Sequence, residues 1–163
     1  MVEFGGYALP VQYAGIVAEH NHTREAASLF DVSHMGQMVV AGPDHETTIA
    51  ALEAITPGDL ASLAPGQMRY TVLLNDKGGI EDDLMLVNRG DEVHIVVNAG
   101  NRTHDLHLLS ARCPGLEFEW VEAALVALQG PQTEAVLAVL DPRATSPRFM
   151  EAVTLELLGT PCF

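Results

Sequence analysis

The chain has 163 residues, of which 48% are hydrophobic and 18% are charged, and its formal net charge is −14. Such a composition can bury a sizeable core, which excludes a disordered chain and predicts one or two compact domains. Only eight Lys and Arg residues are available to neutralise phosphates, so we expect no nucleic-acid partner. No segment approaches the roughly 20 apolar residues that span a membrane, so we expect no membrane association.

The first half of the chain predicts helices and strands in alternation. We expect a helix at about 15–28, a strand at 34–41 and, after Gly42-Pro43, a helix that has Pro at its first turn and runs to about residue 55. Short polar turns then separate three strand candidates, which predicts an antiparallel meander. Its strands are expected at 68–75, 80–88 and 92–98.

The second half continues the same pattern. Asn101 can cap a helix that runs to about residue 111. A strand at 123–128 and a helix to about residue 140 follow, and the last segment, 152–163, has the pattern of a strand or hairpin. These elements predict an α+β fold with antiparallel sheets and packed helices. We expect residues 1–163 to form a single region in which a subdomain near 43–110 is separate from the segments on either side of it.

The cysteines and histidines give no metal-binding pattern. Cys113 and Cys162 lie far apart without a Cys-x-x-Cys motif, which favours a reduced cytoplasmic protein and leaves a disulfide between them as an alternative. The histidines are scattered, and helical spacing places His20 and His22 on different faces. We therefore predict no metal site.

Two adjacent carboxylates, Asp82 and Asp83, follow a glycine-rich turn and lead into an apolar run. Because side chains alternate along a strand, Asp82 shares a face with Leu84, whereas Asp83 shares the other face with Met85. A carboxylate among apolar groups is a suitable proton acceptor or anchor for a ligand's N–H groups. Periodicity alone does not choose between the two residues, and both could also be solvated residues beside a hairpin.

The chain resembles the aminomethyltransferases, the T-protein of the glycine cleavage system, along nearly its whole length. The resemblance is carried by ordered blocks, namely Leu9-Pro-Val-Gln-Tyr13, His22-Thr-Arg24, Leu29-Phe-Asp-Val-Ser-His-Met-Gly36, Tyr70-Thr71, Gly78-Gly-Ile-Glu-Asp-Asp83, Val96-Val-Asn-Ala-Gly100 and Leu128-Gln-Gly-Pro131. It implies a transferase that takes an aminomethyl group from the lipoyl arm of the H-protein, releases ammonia and passes the methylene to tetrahydrofolate.

The same resemblance implies roles for individual residues. Asp83 matches the essential carboxylate beside the pterin ring and is the expected catalytic residue. Met35 matches an apolar residue of the folate pocket, Val96 one that meets the pterin through its backbone, and Asn98 one whose amide meets the pterin edge. Tyr70 matches a pocket-lining position at which an aromatic face could stack on the ligand.

The family pattern continues beyond Phe163, so the resemblance implies an N-terminal fragment whose own activity is open. Such a fragment could cover exposed apolar surface by forming a homodimer. Two other classes stay open. One is the folate domain of dimethylglycine- or sarcosine-oxidising enzymes or a folate-dependent demethylase, and the other is a non-enzymatic folate-binding relative linked to iron–sulfur cluster assembly. The segment 29–36 favours the transferase over the first class, and the Asp82-Asp83 pair and Ser33-His34-Met35 favour it over the second.

Overall fold

The computed structural model describes residues 1–163 and contains four α-helices and eleven strands. The helices are α1 (Ile16–Glu25), α2 (His45–Glu53), α3 (Arg102–Arg112) and α4 (Thr133–Leu140). The strands are β1 (Val2–Phe4), β2 (Tyr7–Leu9), β3 (Ser28–Asp31), β4 (Gly36–Ala41), β5 (Met68–Leu74), β6 (Ile80–Asn88), β7 (Val93–Val97), β8 (Glu117–Trp120), β9 (Val126–Gln129), β10 (Leu155–Leu157) and β11 (Thr160–Cys162). All strand pairs are antiparallel, so the α+β prediction is confirmed.

The chain divides into two compact units. The first contains residues 1–34, 124–149 and 153–163. Its strands form three antiparallel pairs, β1 with β2, β3 with β9 and β10 with β11, and it also carries α1 and α4. Neither of its helices has a buried residue. Several large apolar side chains of this unit are exposed, among them Phe4, Ile16, Val17, Leu29 and Phe149.

The second unit contains residues 35–123 and 150–152, and it is built on a five-stranded sheet in the order β5-β6-β7-β4-β8. The predicted meander is confirmed as β5, β6 and β7. Side chains on one face of this sheet form the core together with α2 and α3. This core includes Met38, Leu73, Leu84, Leu86, Ile95 and Val97 from the sheet, Ile49 and Leu52 from α2, and Leu109 from α3.

Helix α3 is tied to the β5–β6 hairpin by Arg112. This side chain donates hydrogen bonds to the Leu74 carbonyl and to Asp76, with an Nη2–Oδ1 distance of 2.6 Å in the second. At the other end of α3 the Arg102 guanidinium lies 4.8 Å from the centre of the Trp120 ring. These contacts fix α3 across the sheet face that carries Asp82.

Some sequence-based expectations are wrong in detail. Pro43 is not in the first turn of α2, because Asp44 is the N-cap residue and its carboxylate accepts the Thr47 N–H at 2.7 Å. Asn101 occupies the N-cap position of α3 but makes no side-chain cap, since its side chain hydrogen bonds to Asp82 instead. Sequence analysis also missed the β1–β2 hairpin and the short strands β3 and β8.

Both cysteines are free, so the alternative of a disulfide does not hold. Cys113 is buried, and its Sγ donates a hydrogen bond to the Ala51 carbonyl at 3.4 Å. None of the helices combines the length and the apolar character that crossing a membrane requires.

Candidate active site

The turn between β5 and β6 is built by the Asn75 side chain. Its Oδ1 accepts the N–H groups of Lys77 and Gly79 at 3.0 and 2.9 Å, which is the local bonding that Asn favours in turns. Gly78 takes a φ of +77°, a region that residues with a Cβ rarely occupy. The tight turn starts β6 at Ile80 and so sets which way each following carboxylate points.

Asp82 and Asp83 lie on opposite faces of the sheet. Asp82 pairs with Leu73, which is fully buried in the core, so Asp82 lies on the face covered by α3. Asp83 pairs with Val72 and therefore lies on the other face. The strand register thus resolves the choice that periodicity leaves open, because only one of the two carboxylates avoids the core.

Four of the five residues that the sequence predicts as ligand contacts lie in two rows on the Asp83 face, and the fifth, Met35, directly precedes β4. One row is formed by Tyr70, Met85, Val96 and Gln37, which are paired across β5, β6, β7 and β4. The residues between the two rows are Leu84, Val97 and Gly36. They face the core, and Val97 pairs with both Leu84 and Gly36. The second row contains Asp83, which is paired with Val72, and it continues to Asn98, which directly follows β7 and hydrogen bonds to Asp83. Antiparallel pairing brings together residues that are far apart in the chain, such as Gly36 and Val97, which are 61 positions apart.

The side chain of Asp83 is held from two sides. The Tyr70 hydroxyl donates to its Oδ2 at 3.0 Å, and the Asn98 Nδ2 donates to its Oδ1 at 3.2 Å. The hydrogen bond to Asp83 raises the pKa of Tyr70, because it stabilises the protonated phenol. Each carboxylate oxygen keeps a second lone pair, so Asp83 can still accept hydrogen bonds from a ligand.

Tyr70 and Val96 present different chemistry on this face. The Tyr70 ring is 59% exposed, which leaves an aromatic surface beside Asp83. Val96 is half-buried in an inner strand paired on both sides, so its backbone groups point toward neighbouring strands and its side chain faces the site. The expected backbone contact of Val96 with a ligand stays a prediction.

Asn98 joins the two carboxylates. Its Nδ2 donates to Asp82 Oδ1 at 3.0 Å, to the Asp83 carbonyl at 3.2 Å and to Asp83 Oδ1. Because ionised carboxylates only accept hydrogen bonds, the amide nitrogen must face them and the amide oxygen must face away. The site therefore combines an amide oxygen and a carboxylate, both of which accept N–H groups.

Asp105, which the sequence did not indicate as a site residue, lies behind Asp82. Asp105 is fully buried on α3, and burial raises its pKa to about 7, with the hydrogen bond to Asp82 and the charges of Asp82 and Asp83 acting in the same direction. Burial also tends to raise the pKa of Asp82. The hydrogen bonds from Asn101, Asp105 and Asn98 outweigh this effect, so the pKa of Asp82 is lowered. The available signal was helical spacing, since Asp105 precedes the buried Leu109 by one turn and so lies on the core face.

Comparison with known proteins gives a consistent result over the whole chain. Residues 1–163 match the family described as the GCVT N-terminal domain. An aminomethyltransferase from Herpetosiphon aurantiacus is 44% identical over 145 residues, covering 86% of this chain and 39% of that protein. An aminomethyltransferase from Thermus thermophilus is 40% identical over 167 residues, covering 99% of this chain and 47% of that protein.

A solved structure shares the fold as well as the sequence. It is the glycine cleavage system aminomethyltransferase T from Bartonella henselae, with a TM-score of 0.85, 40% identity and coverage of 92% of this chain and 42% of that one. The chain therefore spans less than half the length of the relatives that it matches.

Proposed function

Because this chain belongs to the GCVT N-terminal domain family, we propose that it forms the folate-binding part of an aminomethyltransferase of the glycine cleavage system. The proposed donor is the aminomethyl group on the lipoyl arm of the H-protein, from which ammonia is released. The single observation that carries the proposal is the arrangement of Asp83 between Tyr70 and Asn98, on the same face as Val96.

The residues present fit a reduced folate. A pterin ring offers an edge of N–H groups and two flat faces, and this site offers hydrogen-bond acceptors beside an exposed aromatic ring. The Asp83 carboxylate and the Asn98 amide oxygen can accept N–H groups, whereas the Tyr70 ring and the Val96 side chain provide contact area. When bound, tetrahydrofolate supplies the nitrogen that accepts the methylene group.

The chain's own contribution to the chemistry centres on Asp83. Its carboxylate is fixed by Tyr70 and Asn98, so it presents free lone pairs in one orientation without first losing conformational freedom. There it can orient a ligand N–H group or hold a proton at Oδ1 or Oδ2. We therefore propose Asp83 as the catalytic residue and Met35, Tyr70, Val96 and Asn98 as binding residues.

The relatives named aminomethyltransferase favour this function over the folate-linked oxidising enzymes and the iron–sulfur-linked relative. We propose a lipoyl-bearing H-protein as the partner and a cytoplasmic location.

The test is a calorimetric titration of the 163-residue chain with 5-formyltetrahydrofolate. We expect saturable binding that Asp83→Ala weakens at least about tenfold, equivalent to roughly 1.4 kcal/mol. Asp91→Asn, at an exposed position in the β6–β7 turn, is the matched control and should bind like the unmodified chain. Equal affinity of Asp83→Ala and the unmodified chain would remove Asp83 from the site.

A further inference from the structure

No neighbouring N–H group donates a hydrogen bond that would stabilise Asp105 as an ionised carboxylate. Asp105 is 0% exposed, and neither of its carboxyl oxygens receives a hydrogen bond from an N–H group. A buried charge in such surroundings is strongly disfavoured, and a carboxyl group avoids it by keeping its proton. The geometry therefore indicates a carboxylic acid rather than a carboxylate.

The neighbour of Asp105 is a suitable acceptor for that proton. Asp82 Oδ1 accepts the Asn98 amide, while its Oδ2 is buried without an N–H donor. Two carboxyl groups in contact hold one proton between them, because two like charges at this distance do not both persist. Asp82 keeps the negative charge since Asn98 and Asn101 donate to it, and Asp105 keeps the proton since it has no such donors.

The other groups around Asp105 do not alter this assignment. The charges that act on it come from Asp82 and Asp83 on β6, and both are negative. On α3 itself, the Arg102 guanidinium lies over the Trp120 ring at 4.8 Å, and His104 is directed to Glu81, with 3.7 Å between Nε2 and Oε2. Strand β8 presents Phe118 and Trp120 to the core face, and its two glutamates lie on the other face.

We propose that Asp105 is a positioning residue that donates its proton to Asp82 as a hydrogen bond and so holds the Asn98 amide nitrogen toward Asp82 and Asp83. The single charge on Asp82 attracts the Asn98 N–H groups, so the amide oxygen stays turned to the ligand. Asp83 and Asn98 then offer only acceptors to a ligand, which selects ligands that present an edge of N–H donors. This ligand preference rests on the proposed function, whereas the shared proton does not.

The first test follows the proton without any ligand. The 163-residue chain is labelled with ¹³C at the aspartate side-chain carboxyl carbons and with ¹⁵N, and it is titrated by NMR. We expect one aspartate carboxyl resonance to titrate near pH 7, and the Asn98 side-chain amide resonances to move with the same midpoint. Asp105→Asn should remove both transitions, because its amide is a permanent donor to Asp82, and the control Asp91→Asn should retain them.

Either of two results in this test would overturn the proposal. One is that all aspartate resonances titrate near the ordinary value of about 4. The other is that the Asn98 amide resonances ignore the titration of Asp105. A merely structural role for Asp105 would produce the second result, because packing alone does not couple the Asn98 amide to a proton on another residue.

The second test measures 5-formyltetrahydrofolate affinity. Asp105→Asn keeps a donor to Asp82, so its Kd at pH 6 should stay within about twofold of the unmodified chain, and the Kd should vary less between pH 6 and pH 8. Asp105→Leu removes the donor and should raise the Kd at pH 6 about tenfold. An unchanged Kd in a folded Asp105→Leu variant contradicts the positioning role. If the unmodified chain binds no folate, the proposed function fails and the NMR titration still decides the role of Asp105.

Discussion

Asp82 and Asp83 are neighbours in the chain, yet Asp82 faces the core of the second unit and Asp83 faces the candidate ligand site. The Asn98 amide bonds to both carboxylates, at 3.0 Å to Asp82 and 3.2 Å to Asp83. One carboxylate is thereby used to orient the amide, and the other is left with lone pairs for a ligand. This division of roles underlies the predictions that follow.

The first prediction concerns catalysis by the complete enzyme. Asp83→Asn keeps the shape of the side chain and removes its charge, so we expect turnover to fall by about 100-fold or more, while the folate Kd rises by less than about tenfold. Steady-state kinetics combined with a folate titration measures both quantities. Asp91→Asn is the control. The neighbouring Asp82 is unsuitable as a control because it belongs to the same hydrogen-bond network as Asp83. Turnover equal to that of the unmodified enzyme would exclude Asp83 from catalysis.

The second prediction concerns the hydroxyl group of Tyr70. Tyr70→Phe removes the donor to Asp83 and keeps the aromatic ring, so we expect folate affinity to fall by about 0.5–1.5 kcal/mol. The free energy of unfolding should change by less than about 0.5 kcal/mol because the residue is exposed. Calorimetry and urea denaturation measure these two effects.

Tyr13→Phe is the matched control for this substitution, since Tyr13 is 84% exposed and lies outside the two rows. It should leave both the affinity and the stability unchanged. The same loss of affinity in the two variants would show that the Tyr70 hydroxyl has no specific role.

The third prediction concerns the Asn98 amide. Asn98→Asp has nearly the same size, but it replaces the donor between two carboxylates with a third acceptor. We expect the free energy of unfolding at pH 7 to fall by about 1–3 kcal/mol, with part of the loss recovered at pH 5 as the cluster takes up a proton. Urea denaturation at both pH values measures the difference. A stability loss that is the same at pH 5 and pH 7 argues against charge repulsion as its cause.

The fourth prediction is a pH dependence of stability. Burial raises the pKa of Asp105 from 3.8 to about 7, so the folded chain binds a proton that the unfolded chain releases over this range. The stability that this proton contributes is fully present below about pH 4 and is lost as the pH rises to about 7, with a slope of at most about 1.4 kcal/mol per pH unit. Asp105→Asn should abolish this component.

The comparison must be made between the two proteins at each pH. Burial lowers the pKa of His94, so the contribution of His94 grows as the pH rises and partly opposes that of Asp105. Subtracting the stability curve of Asp105→Asn from that of the unmodified chain cancels the His94 contribution. A difference that stays constant from pH 4 to pH 7 would contradict the raised pKa of Asp105.

The fifth prediction tests the tight packing of Gly36, the first residue of β4. A Cβ on Gly36 would lie 2.6 Å from Val97 Cγ2 and 2.9 Å from both Arg102 and Trp120. We therefore expect Gly36→Ala to lower the free energy of unfolding by about 1–3 kcal/mol through overpacking. Gly100→Ala is the control, because a Cβ there meets nothing within 4 Å, and it should change stability by less than about 0.5 kcal/mol. Equal stabilities of the two variants would show that Gly36 is not tightly packed.

The sequence by itself determined the fold class, the meander of β5, β6 and β7, and the family. The fold class and the meander follow from local information, because alternation, turn residues and helical periodicity act over a few neighbouring positions. The family follows from the resemblance that the ordered motif blocks carry. The short strands β3 and β8 escaped detection because strands of four residues carry little periodicity, and their pairing partners β9 and β4 are remote in sequence.

The resemblance implies Asp83 as the site residue, but only the tertiary structure decided which carboxylate faces the core and what lies behind it. Periodicity separates Asp82 from Asp83 but does not say which face is buried, since that depends on where α3 packs. The same packing places Asp105 against Asp82, although the two residues are 23 positions apart in the chain. A proton shared between a strand and a helix depends on distance and burial in three dimensions, and neither quantity is encoded in local spacing.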